Sequence, residues 1–112
     1  MARVDAEERF NALVGEFAGV PGVSTPDASR REFGSSALKV NGSIFAMLTG
    51  GRLVVKLPRG RVEILIANEI GEPFDAGKGR PMKEWLTVST DDEQTWLALT
   101  REALDFVGKR RR

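Results

Sequence analysis

Two tight turns limit what this chain can fold into more than any other feature. Leu38–Leu57 reads LKVNGSIFAMLTGGRLVVKL, three short apolar runs parted by Asn41-Gly42 and Gly50-Gly51. Both dipeptides suit a two-residue hairpin turn, in which both central positions need φ > 0. Pro58 cannot donate to a ladder and is suited to the start of a helix, so it ends the third strand. Pairing across Gly50-Gly51 sets Leu48 against Leu53, Ala46 against Val55 and Ile44 against Leu57. That face is wholly apolar and needs a cover of helices. The other face sets Met47 with Val54, Phe45 with Lys56 and Thr49 with Arg52. A two-residue turn at Asn41-Gly42 adds Leu38 and Val40 to this mixed face. It also places Lys39 on the apolar side, so either its stem runs to an edge or the register shifts.

The 112 residues suit one domain around one core, assigned to residues 1–108 with a basic tail at 109–112. Hydrophobic residues at 41% and charged residues at 29% describe an ordinary globular composition. No apolar run approaches the ~20 residues of a membrane span. MARVDAEERF lacks the sections of a signal peptide, and there is no cysteine, so a cytoplasmic location without membrane attachment is expected. The chain also lacks histidine. Imidazole bases, thiolate nucleophiles and His or Cys metal ligands are therefore excluded. The carboxylates show no acid–base spacing, so no catalytic residue, metal site or cofactor is expected.

Helical periodicity appears three times. Asp5 is the expected N-cap of a first helix with Phe10, Leu13, Val14 and Phe17 on one stripe, and Gly15 within it suggests close packing. After Pro58, Val62, Leu65, Ile66 and Ile70 mark a second helix, with Arg59 and Arg61 in its first turn. Cations there oppose the helix dipole, a penalty of about 0.3–1 kcal/mol that calls for some other reason to keep them. Thr90, with Glu93 three residues on, is the expected cap of a third helix carrying Trp96, Leu99, Ala103, Leu104 and Val107. Gly108 is its expected C-terminal stop. Val20–Ser36 and Gly71–Lys83 read as loops, apart from a short strand at Val23. Glu84–Ser89 alternates as a strand: either Trp85 shares an outward face with Thr87 and Ser89 and leaves Met82, Leu86 and Val88 inward, or the sheet buries both faces. The expected core is Phe10, Leu13, Phe17, Ile44, Leu48, Leu53, Val55, Leu57, Leu65 and Trp96. Gly77-Lys78-Gly79-Arg80 lacks the spacing of a nucleotide phosphate loop.

Charge is unevenly distributed although the net is only +1. Arg30–Arg61 holds seven cations against Glu32 alone, and the tail adds four more, whereas the helices are acidic. Such separation favours a polyanionic partner. Arg30, Arg31, Arg52, Lys56, Arg59 and Arg61 are the candidate phosphate contacts, extended by Lys78, Arg80 and Lys83, with Phe45 able to stack on a base if exposed. The alternative is a protein-interaction or self-association module built on an apolar patch of Leu38, Val40, Phe45, Met47 and Val54.

KVNGSIFAML, GGRLVVKLP and GRPMKEWLTV together resemble the MmcQ/YjbR family, related to the N-terminal domain of TfoX, across nearly the whole chain. Ser43 departs from the pattern, where the family often has lysine, as does the serine- and arginine-rich insertion around Ser24–Ser36. The resemblance implies a CyaY-like, YjbR-like α+β sandwich, an antiparallel sheet with helices packed on one face. It also implies a "double-wing" DNA-binding role, the wings being the hairpins of Lys39–Leu57. With the charge distribution, the expected partner is DNA or another polyanion, and the expected state is a monomer or weak homodimer. The resemblance supplies no catalytic residue set. The frataxin-like fold invites an iron site, but Asp5, Glu7, Glu8 and Glu16 read as a solvated helix face.

Overall fold

The computed structural model describes residues 6–25, 36–75 and 82–110. Three helices, α1 (Ala6–Phe17), α2 (Arg59–Ala67) and α3 (Glu93–Arg110), accompany six strands. The strands are β1 (Val23–Ser24), β2 (Ser36–Val40), β3 (Ser43–Thr49), β4 (Arg52–Lys56), β5 (Gly71–Phe74) and β6 (Met82–Val88). They form one sheet in the order β1-β2-β3-β4-β6-β5, and every neighbouring pair is antiparallel. Phe10, Leu13 and Phe17 of α1, Val62 and Leu65 of α2, and Trp96, Leu99, Ala103 and Val107 of α3 join one core with the inward strand residues. All three helices therefore cover the same face, and the protein is an α+β two-layer sandwich.

Both hairpin turns have the expected backbone: Asn41 and Gly42 at φ 52° and 87°, Gly50 and Gly51 at 61° and 77°. The second hairpin pairs as read, with Leu48 opposite Leu53 and Ala46 opposite Val55. The first does not keep that register. Leu38 pairs with Ala46 and Lys39 with Ile44, leaving Phe45 as an extra residue, a β-bulge. The bulge resolves the conflict at Lys39. It turns Lys39 to solvent, moves Ile44 off the core face, and brings Leu38, Val40 and Phe45 into the core. Nine of the ten expected core residues are buried, and Ile44 is the exception because of this shift.

Gly71–Phe74, read as loop, is an edge strand on β6. Its Pro73 is tolerable only because an edge strand has one side without a partner. Gly71 fits because a Cβ there would lie 2.6 Å from Leu86, whose side chain is fully buried. On β6, Leu86 and Val88 point inward as expected, but Met82 is exposed.

The helices depart from local expectation in three places. The cap of α3 is Asp92, whose carboxylate accepts from the Thr95 amide at 2.9 Å and the Thr95 hydroxyl at 2.8 Å. Thr90 supports it by accepting the Asp92 amide at 3.1 Å. Gly108 does not stop α3, which continues through Arg110, so the first residues assigned to a tail are helical. Gly15 has nothing within 4 Å of its missing Cβ, so no close packing explains it. The expected cap Asp5 lies outside the described residues. Among the described residues, no helix is long and apolar enough to cross a membrane.

Candidate nucleic-acid interface

The face turned away from the helices is set by the same registers. Met47 pairs with Val54, Val54 with Thr87, and Thr87 with Glu72, while Lys56 pairs with Trp85 and Thr49 with Arg52. With Lys39 and Ile44 from the bulge, this outer face carries apolar, aromatic and cationic side chains together. Val54 is buried yet lies outside the core cluster, so its cover comes from the outer side.

Trp85 is the centre of the arrangement. It is half-buried, and the Lys56 ammonium sits 5.4 Å from its ring centroid. Phe74 lies beside it, with ring centroids 6.3 Å apart and planes inclined at 51°. The Lys56 Nζ is also 4.0 Å from the Glu84 carboxylate. Arg52 pairs with Glu72 at 3.3 Å across β6. Lys39 and Lys83 are exposed and have no ionic partner among the described residues. Behind Trp85, between α2 and the β5–β6 edge, lies an open cleft of about 170 Å³.

Several residues expected at a phosphate-binding surface are placed differently. Phe45 cannot stack on a base, because it is wholly buried with its ring edge-on to Phe17 at 6.2 Å. It also does not face Lys56, whose neighbour is Trp85. Arg61 grips Glu102 of α3 with two hydrogen bonds of 2.9 Å, which raise its pKa above the ordinary value. That clamp between helices is the reason for a cation in the first turn of α2, and it occupies the guanidinium. Arg59 stays exposed and pairs with Glu63 one turn along at 3.4 Å. The apolar patch of the alternative reading does not exist as drawn, since Leu38, Val40, Phe45 and Val54 are all buried. Arg30, Arg31, Lys78 and Arg80 lie outside the described residues.

Trp85, Phe74 and Lys39 were missed as site candidates. The alternation of Glu84–Ser89 allowed an outward Trp85 as one of two readings, and that signal could have flagged it. Phe74 and Lys39 depend on a strand and a bulge that no local pattern announces. Among the described residues, no group of three or more acidic side chains could hold a metal ion. No family model, curated protein or solved structure matches the chain.

Proposed function

We propose that the chain binds nucleic acid across the sheet face turned away from α1, α2 and α3, without catalysis. The observation that carries this reading is the half-exposed Trp85, flanked by Phe74 and Lys56 at the border of the sheet face on which none of the described helices packs. Aromatic side chains on an open sheet offer stacking surfaces, and cations around them offer phosphate contacts. Lys39, Arg52, Lys56 and Lys83 fill the second role here, in place of the wider set expected from charge alone. Binding is weak in this reading, because a phosphate must displace Glu72 from Arg52 and Glu84 from Lys56. The resemblance to MmcQ/YjbR proteins and the basic stretch Arg30–Arg61 point the same way.

Titration of the protein with single-stranded DNA, duplex DNA and RNA at rising salt tests this. Affinity should fall with salt, and Lys56→Glu with Lys83→Glu should reduce the slope of log affinity against log salt by about 0.7–0.9 per lost contact. Absence of binding at low salt by all three would rule the reading out.

A further inference from the structure

The cleft behind Trp85 narrows the class of nucleic acid, on the assumption that the sheet face binds one at all. Its apolar walls are Trp85, Met82, Pro73, Ile66 and Val62, and Lys83 stands at its margin. At about 170 Å³ it has the capacity of a single ring, since an apolar cavity of roughly 150 Å³ holds benzene. Met82, one of the exposed large apolar side chains of the described residues, lines it. The cleft meets the cationic face through one shared residue. Trp85 has Lys56 over its ring and also forms a wall of the cleft. A planar group entering there lies beside two cations, Lys56 and Lys83, the latter without an ionic partner among the described residues.

We infer that this cleft takes one unpaired base of a single-stranded nucleic acid, stacked against Trp85, with the flanking phosphates on Lys83 and Lys56. A base in a duplex is held between its neighbours and presents no free ring face. The ligand class is therefore single-stranded, or a duplex only where a base is already unpaired. Glu63 also lines the cleft and pairs with Arg59 at 3.4 Å, which offsets part of its repulsion of a passing strand.

The test compares, at low salt, a dye-labelled single-stranded oligonucleotide with an abasic strand of the same length. Both carry the same phosphates, and only one carries bases. The base-bearing strand should bind roughly 5- to 150-fold more tightly, the range of one stacked base. It should also quench tryptophan emission. Trp85 is the expected reporter, because Trp96 is 2% exposed with its Nε1–H donated to the Thr90 carbonyl at 2.7 Å, and Trp85→Leu should abolish the quench. Trp85→Leu should erase the preference for bases, so that the two strands bind with equal affinity, while Trp85→Phe should keep part of the preference. Equal affinity for the two strands would overturn the inference and leave phosphate binding by the sheet face standing. Binding of neither strand would remove the reading beneath it as well. Should Trp85→Leu fail to fold, the unmodified protein still decides, since tight binding without quenching also overturns the inference.

Discussion

Phe45 meets Phe17 edge to face at 6.2 Å, joining the bulge of β3 to the last turn of α1. Edge-to-face pairs add about 0.5–1.5 kcal/mol beyond burial. Phe45→Ala should therefore cost about 3–5 kcal/mol in denaturant unfolding, the range for a packed aromatic ring. A loss under about 1 kcal/mol would mean that Phe45 is not a core residue, since changes of that size are typical of the surface.

Two glycine-to-alanine changes should move stability in opposite directions. Gly15 sits exposed inside α1 with open space around it, so Gly15→Ala should stabilise by about 0.5–1 kcal/mol. Gly71→Ala drives a methyl into the buried Leu86 and should destabilise by about 1–3 kcal/mol. Thermal unfolding of the two variants side by side checks both signs.

The Arg61–Glu102 clamp joins α2 to α3 through a two-pronged contact with both side chains some two-fifths exposed. Solvent screening at that exposure limits its worth. A double-mutant cycle with Arg61→Ala and Glu102→Ala should return a coupling of up to about 1 kcal/mol. Loss of Arg61 should leave the salt slope of any nucleic-acid binding unchanged. A slope that falls with Arg61→Ala would return this residue to the phosphate-binding set.

Acid should weaken the start of α3. Hydrogen bonds from the Thr95 hydroxyl and amide hold the Asp92 carboxyl below its ordinary value of 3.8. A carboxylate with a depressed folded pKa stabilises the fold fully above its unfolded pKa, and that contribution is lost as pH falls through the folded value. The melting-temperature gap between the natural chain and Asp92→Ala should thus be widest near neutrality and shrink below the ordinary carboxylate range. A gap independent of pH would show that the charge on Asp92 does not contribute.

The amino-acid sequence alone determined the turns, the helical stripes and the inward side of the second hairpin. Asn41-Gly42 and Gly50-Gly51 need positive φ whatever surrounds them, and the alternation of Leu53 and Val55 puts both on the core side. These rules act over a few residues, so a local reading captures them. The tertiary structure decided the rest. Whether Lys39 or Phe45 goes inward is a competition between burying a cation and burying a ring, and it is settled by a bulge formed between two strands. Gly71-Glu72-Pro73 becomes a strand only because β6 lies beside it and Leu86 fills the space a side chain would take. The cations of the candidate surface were legible as residues, but their carboxylate partners come from other elements. Arg61 finds Glu102 forty-one positions away, and Arg52 finds Glu72 at twenty. Local charge counting cannot see such pairs, because Coulomb attraction depends on distance in space and not along the chain.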